Sequence, residues 1–228
     1  MIQVEICCNS IDSARNACRG GASRIELCRD LELDGLTPDR DAIAYCVETL
    51  QLVTHVLVRP LPGGFVYDDD TFDLVRRQVR MCRDFGAAAV VVGFLNPDGT
   101  VDAEKTKEIV DLAFPMSVTF HRAFDACSAP LEALEQIVQC GCARLLTSGC
   151  ETTAERGMPL IKDLVALSDG RLSVMAGAGV TPGNAARIVA ETGVNEVHGS
   201  CKRKMDDGSW LTDASVVRAL VDSVNQRM

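Results

Sequence analysis

One stretch of the chain places three reactive side-chain types directly after a predicted strand. In Ser117–Asp125, SVTFHRAFD, a β-branched and aromatic run is followed by His121, Arg122 and Asp125. An imidazole and a carboxylate can transfer protons, and a guanidinium group binds anions. These residues could line a ligand site, but Arg122 and Asp125 could equally anchor a loop.

Two further motifs combine a carboxylate with a thiol at alternate positions. The first predicted strand contains Glu5-Ile6-Cys7, and the second contains Glu26-Leu27-Cys28. Thiolates select soft Cu(I), or zinc when more ligands are present, whereas a glutamate can act as a general acid or base. Free cysteines are also common as small buried hydrophobic residues. The motifs therefore indicate either a metal site or core packing.

Eight short aliphatic runs, each followed by an amphipathic helical pattern, must position these side chains. The runs are VEICC, RIELC, HVLVRP, AVVVGFL, SVTFHR, RLLTSG, LSVMAGAG and NEVHGS. Alternating strand and helix patterns indicate a parallel α/β fold, and eight such units are typical of a TIM barrel. We therefore predict a single (β/α)8 barrel domain spanning residues 1–228. A doubly wound open sheet is the alternative, but no GxGxxG motif opens the chain.

Strand alternation predicts which side chains point into this barrel. Successive strand residues face opposite sides of the sheet, so the aliphatic positions face the helices and the intervening positions face the barrel axis. This count places seven side chains near the C-terminal end, where TIM barrels carry their active sites. They are Glu5, Cys7, Glu26, Cys28, Arg59, His121 and His198. The carboxylates and Arg59 could instead form a structural ion-pair network, and His198 could be a core histidine.

A glycine-rich segment, Met175–Asn184 or MAGAGVTPGN, surrounds the end of the seventh predicted strand. Backbone N–H groups of such a loop can bind an anion where it leads into a helix, and TIM barrels often bind phosphate beside strands seven and eight. Gly177 and Gly179 are therefore candidate phosphate-binding residues. Glycine also serves tight turns, so these residues could instead only relieve crowding at the rim.

Composition restricts the class of partner. The chain carries a net charge of −9 at pH 7 and has a pI near 4.8, so its surface should repel nucleic acid and anionic membranes. No long apolar run or basic N-terminal region indicates a membrane span or a signal peptide. Eleven cysteines without a CxxC pair fit reduced thiols better than a disulfide framework. We expect a cytoplasmic protein that binds neither nucleic acid nor membrane.

A set of motifs occurs in a fixed order along most of the chain. They are VEICCNS, GGASRIELC, GLTP, RP followed by GGF and Tyr67, VTFHRAFD, RLLTSG and MAGAGV. Together they resemble the CutC copper-homeostasis family. The resemblance implies a TIM barrel, a cytoplasmic location, frequent homo-oligomers and a role in copper handling. It also implies Cu(I) binding by Cys7 and Cys28, which match the family's proposed copper-binding cysteines.

The strand-three loop departs from the family pattern. The usual R-P-R-G-G-D-F is RPLPGGF here, Arg59–Phe65, so Leu61 and Gly64 replace an arginine and an aspartate. If those residues bind a substrate in relatives, this chain has an altered specificity or lacks that contact. The segment after strand eight, CKRKMDDGSW, is also shorter than in many relatives.

The residues and the resemblance support two functional hypotheses. The first is a copper-handling protein that binds Cu(I) through Cys7 and Cys28, with His121 or a rim residue as a further ligand. The second is a TIM-barrel enzyme of unassigned reaction that acts on a small anionic substrate, for example a phosphorylated one. Its catalytic candidates are Glu5, Glu26 and His121, and its substrate-binding candidates are Arg59, Arg122, Asp125, His198, Gly177 and Gly179.

Overall fold

The chain closes into an eight-stranded parallel barrel with helices on its outer side. The computed structural model describes residues 1–206 and 208–225. The barrel strands are β1 (Gln3–Cys8), β2 (Arg24–Leu27), β3 (Thr54–Leu57), β4 (Ala89–Val92), β5 (Ser117–Phe120), β6 (Arg144–Thr147), β7 (Ser173–Ala176) and β8 (Glu196–Gly199). They pair in sequential order, and β1 pairs with β8 to complete the barrel. The predicted (β/α)8 fold is confirmed.

An α-helix follows each barrel strand. The helices are α1 (Ile11–Gly20), α2 (Arg40–Ala44), α3 (Asp69–Asp84), α4 (Ala103–Ala113), α5 (Pro130–Cys140), α6 (Met158–Ser168), α7 (Ala185–Thr192) and α8 (Ala214–Asn225). A π-helical turn, Tyr45–Thr49, extends α2, and an antiparallel hairpin of β9 (Lys202–Lys204) and β10 (Trp210–Thr212) lies between β8 and α8. None of the described helices is both long enough and apolar enough to cross a bilayer.

Local signals in the sequence set the ends of several helices. Ser10 caps α1 by accepting a hydrogen bond from a backbone N–H of its first turn, and Asp68 and Asp102 cap α3 and α4 in the same way. Helices α1 and α5 end at Gly21 and Gly141, whose φ values of 86° and 87° lie in the left-handed region that favours glycine. The glycine therefore turns each helix back towards the next strand.

The main hydrophobic core lies between the strands and the helices. Outward strand residues such as Val4, Ile6 and Ile25 are fully buried there. A smaller apolar cluster lies inside the barrel and consists of Cys7, Cys28, Leu57 and Val91, with Leu31 packed against it. Alternate strand residues thus face opposite sides of the sheet, as the period of two predicts.

Helix α6 offers a matched pair of leucines for testing the outer core. Leu164 is fully buried, whereas Leu167 is 49% exposed. We expect Leu164→Ala to lower the free energy of unfolding by about 2–5 kcal/mol, because it removes apolar contacts and leaves a cavity. Leu167→Ala should lower it by less than about 1 kcal/mol. Urea denaturation followed by circular dichroism measures both values, and equal losses would contradict the assigned helix face.

Candidate functional site

A cavity of about 710 Å³ opens at the C-terminal end of the barrel, where TIM barrels carry their active sites. The predicted site residues that line it are Cys7, Glu26, Arg59, His121, Arg122, Gly179 and His198. Four other predicted residues, Glu5, Cys28, Asp125 and Gly177, lie outside this lining in the described chain. The barrel therefore brings most of the candidates to one place.

Two cysteines meet inside the barrel beside this cavity. Cys7 on β1 and Cys28, directly after β2, both point inward, and their Sγ atoms are 3.7 Å apart. The hydrogen bond with Cys28, together with burial, raises the pKa of Cys7 well above its usual value. Cys7 is therefore a protonated thiol at neutral pH.

Glu26 and His198 form a cluster with Cys7. One potential ligand atom from each of these three side chains lies within 4.8 Å of the others. Burial raises the pKa of Glu26 to about 7, and its Oε2 atom has no hydrogen-bond partner among the described residues. Buried polar atoms normally have a partner. A proton or a metal ion bound to this carboxyl group would supply one.

A buried ion network lies beneath this cluster, towards the N-terminal ends of the strands. Glu5 Oε1 is 2.8 Å from His198 Nδ1. Glu5 Oε2 is 2.6 Å from Arg24 Nε and 2.9 Å from His55 Nδ1, and Arg24 also pairs with Glu196. Burial alone would raise the pKa of Glu5, but the hydrogen bond with His198, the close contact with His55 and the charge of Arg24 lower it well below its usual value.

His198 links the ion network to the cluster. Because its Nδ1 atom is hydrogen-bonded to Glu5, its Nε2 atom is the one available for the hydrogen bond with Cys7. Burial opposes a charge on this ring, but Glu26, the hydrogen bond with Cys7 and Glu5 hold the pKa of His198 well above its usual value. Metal-binding histidines commonly have this arrangement, in which a carboxylate orients the ring through its second nitrogen.

The network corrects two expectations from the sequence. Glu5, a catalytic candidate, is fully buried in ion pairs and is not among the described residues that line the cavity. Arg59 pairs with neither predicted glutamate. Its guanidinium group instead donates to the backbone carbonyls of Leu33, Gly35 and Gly63, at 2.8, 2.9 and 2.8 Å.

His121 follows β5 and lines another wall of the cavity. Its Nδ1 atom accepts a hydrogen bond from the Ala123 N–H at 3.0 Å, and burial lowers its pKa to about 3. Gly93 permits this position, because a Cβ atom there would lie 2.5 Å from the imidazole ring. His121 Nε2 is thus the N–H donor of a neutral ring, and it has no partner among the described residues.

The strand-three loop keeps two cavity contacts despite its departures from the family pattern. The Phe65 ring packs against His121 with a centroid distance of 5.0 Å, and the Arg59 guanidinium lies 5.8 Å from the Phe65 ring centre. Leu61 is 48% exposed, and neither it nor Gly64 is in the described cavity lining. The two replacements therefore alter the outer surface of the loop.

Asp125 anchors the loop after β6. Its carboxylate accepts hydrogen bonds from the Ser148 N–H at 3.0 Å, the Cys150 N–H at 3.1 Å and the Thr147 hydroxyl. Arg122 Nε donates to the same carboxylate at 2.7 Å. Asp125 therefore anchors this loop and lies outside the described cavity lining, whereas Arg122 also lines the cavity.

The segments after β7 and β8 form the rest of the rim. Gly179 lines the cavity, whereas Gly177 serves packing, because a Cβ atom there would lie 2.5 Å from Leu146 Cδ1. The β9–β10 hairpin brings Lys202 to the rim, where its Nζ atom is 4.9 Å from the centre of the Trp210 ring. The rim therefore carries two cationic side chains, Lys202 and Arg122.

Known proteins share both the sequence pattern and the fold. The CutC family model matches residues 2–203. The chain belongs to the CutC family. A CutC family protein of Vibrio vulnificus strain CMCP6 is 44% identical over 202 residues, which cover 88% of this chain and 81% of that protein. The mouse copper homeostasis protein cutC homolog is 40% identical over 213 residues, which cover 93% and 78%.

A solved CutC structure has the same fold. The crystal structure of CutC from Streptococcus agalactiae superposes with a TM-score of 0.84 at 28% identity. The match covers 88% of this chain and 99% of that chain. The resemblance seen in the motifs is therefore confirmed at the level of the family and of the barrel.

Three residues of this CutC barrel interior were missed from the sequence: Arg24, His55 and Glu196. Each lies two positions before another inward residue on its strand, so counting in steps of two could have found all three. Which of them pair with Glu5 depends on the register between strands, and no short motif in the sequence reports that register.

His121 gives this CutC protein a specific sensitivity to acid. Its pKa is about 3 in the fold, against 6.5 for an ordinary histidine, so acid protonates the unfolded chain first. Above the pKa of the unfolded chain, His121 is neutral in both states and the free energy of unfolding keeps its full value. That free energy falls by about 1.4 kcal/mol per pH unit as the pH drops from roughly 6.5 to roughly 3.

The variant His121→Asn tests this sensitivity, because asparagine keeps an acceptor for the Ala123 N–H but does not titrate. Between pH 7 and pH 5, the wild-type protein should lose about 2 kcal/mol more unfolding free energy than the variant. Urea denaturation at the two pH values measures the difference. Identical pH dependence in both proteins would show that His121 is not buried as a neutral ring.

Proposed function

We propose that this CutC protein binds Cu(I) through Cys7 and Cys28 and handles copper as its cargo. The observation that carries the proposal is the 3.7 Å separation of the Sγ atoms of Cys7, on β1, and Cys28, directly after β2. Metal–thiolate bonds are about 2.3 Å long, so both sulfurs can reach one ion. Thiolates are the soft ligands that suit Cu(I). The mouse relative is named a copper homeostasis protein, which supports copper as the metal.

His198 is the best candidate for a third ligand. Two metal–thiolate bonds in a straight line would separate the sulfurs by roughly 4.6 Å, so a closer pair leaves one side of the ion open. His198 is in the cluster with Cys7, and Glu5 orients its ring. Glu26 offers an unpartnered oxygen nearby. His121, the extra ligand considered from the sequence, is not in the cluster found among the described residues.

The cavity supplies a route to this site. Cys7 lines the cavity and is 7% exposed, whereas Cys28 is 2% exposed behind it. An ion that enters from the barrel mouth would therefore meet Cys7 first and Cys28 second. Thiols as buried as these favour retained binding over rapid exchange at the surface.

The same proposal includes a reducing, cytoplasmic environment and a homo-oligomeric assembly. All eleven cysteines are free thiols, which suits a compartment that keeps thiols reduced. Membership of the CutC family supports assembly, since the family resemblance implies homo-oligomers. Exposed apolar side chains on the outer surface, such as Leu131 at 51% exposure, offer contact area between subunits.

A Cu(I) competition titration tests the site. Fully reduced protein is titrated without oxygen against bathocuproine disulfonate, alongside the Cys7→Ser/Cys28→Ser double variant. We expect one equivalent of Cu(I) in the wild-type protein and affinity at least about 100-fold weaker in the variant, because serine oxygen is a poor ligand for a soft ion.

The exposed cysteine Cys18 supplies the control. Cys18→Ser removes a thiol remote from the cavity and should leave the Cu(I) affinity unchanged. Circular dichroism establishes that each variant is folded. Equal affinity in the wild-type protein and the double variant would exclude these cysteines as the copper site. Preference for Zn(II) over Cu(I) would exclude copper as the cargo.

Copper affinity should also rise with pH. Cys7 holds its proton at neutral pH because its pKa is raised, and His198 does so for the same reason. A metal ion must displace these protons, so acid competes with binding. We expect the Cu(I) association constant to rise about tenfold or more per pH unit between roughly pH 6 and 8. Repeating the titration at three pH values measures the slope, and a flat profile would contradict coordination by Cys7.

A further inference from the structure

Part of the cavity carries buried polar atoms that the proposed copper site does not use. His121 Nε2 and Arg59 Nε are buried and have no hydrogen-bond partner among the described residues. Both side chains line the cavity, and they are 7% and 4% exposed. Native proteins leave few buried polar atoms unpaired. A bound molecule would supply the missing partners.

The protonation state of His121 defines the kind of atom it can bind. Since Nδ1 accepts the Ala123 N–H and the ring is neutral, the proton is on Nε2. This N–H can only donate, so its partner must be a hydrogen-bond acceptor, such as a carbonyl or carboxylate oxygen. The positive charge of Arg59, which disfavours a second proton on His121, also favours an acceptor with negative charge.

The opposite part of the rim suits an anion. Ala178 and Gly179 are both left-handed, with φ values of 73° and 72°. The backbone N–H groups of Gly179, Val180 and Ser200 have no acceptor within the described chain, and all three residues line the cavity. Backbone N–H groups grouped in such turns form concave anion sites. Lys202, on the same rim, adds a positive charge.

We propose that the cavity binds a small phosphorylated organic acid or carbonyl compound. Its phosphate would lie against the backbone N–H groups after β7 and β8 and against Lys202, and its carboxylate or carbonyl oxygen would accept from His121 Nε2. A volume of about 710 Å³ is of the size found for sites that enclose small molecules. This function is additional to copper binding and uses different side chains.

Isothermal titration calorimetry of metal-free, reduced protein tests the proposal with three probes. They are 2-phosphoglycolate, which carries both groups, and glycolate and inorganic phosphate, which carry one each. We expect 2-phosphoglycolate to bind at least about tenfold more tightly than either single-group probe, because both ends of the cavity then contribute. The absence of copper separates this result from the copper titration, so either proposal can fail alone.

Two variants assign the ends of the ligand. His121→Asn removes the Nε2 donor but keeps an acceptor in the place of Nδ1. It should lower the affinity for 2-phosphoglycolate about tenfold and leave the affinity for phosphate unchanged. Lys202→Gln should lower the affinities for 2-phosphoglycolate and for phosphate by roughly three- to tenfold. Lys204→Gln is the matched control, because it removes an equal charge from the same strand outside the cavity lining. It should change neither affinity.

Nuclear magnetic resonance gives a readout that needs no variant. The chain has three histidines, so the His121 ring signals can be distinguished. Binding of 2-phosphoglycolate should shift the His121 Nε2 proton downfield. No saturable binding of 2-phosphoglycolate, an unmoved His121 signal, or equal weakening by Lys204→Gln and Lys202→Gln would each overturn the proposal.

Discussion

Glu5 is a carboxylate without access to water, and the interior of the barrel is arranged around the need to pair it. An isolated buried charge costs several kcal/mol or more, so Arg24 and two histidines must contact it. The pairing has a second effect, because it occupies His198 Nδ1 and leaves the other ring nitrogen for Cys7. The chemistry of the cluster therefore depends on a carboxylate that lies outside the cavity lining.

The interior is divided into layers with different chemistry. Charged groups pair with one another at the level of Glu5, and soft sulfur atoms lie above them beside Glu26. Further out, His121 and the rim present N–H hydrogen-bond donors. A metal ion and an organic anion would therefore be recognised by separate groups. Glu26, with a pKa of about 7, belongs to the cluster and also lines the cavity, so its charge would influence both.

The sequence was sufficient to predict the barrel and the inward direction of Cys7 and Glu26, because strand alternation does not depend on tertiary detail. It could not predict the distance between the sulfurs, which depends on register and on side-chain rotamers. It also left Asp125 ambiguous. A carboxylate beside an arginine looks the same in a sequence whether it binds a substrate or a loop, and only the position of the Ser148 N–H decides.

The hairpin after β8 has a practical consequence. Trp210 is the sole tryptophan of the chain, and the Lys202 ammonium lies 4.9 Å from its ring centre. An ammonium group at this distance interacts with the indole π-system, so moving it changes the electrostatic environment of the ring. The tryptophan fluorescence of this protein therefore arises beside the cavity rim, and its emission reports any movement of the Lys202 ammonium away from the ring.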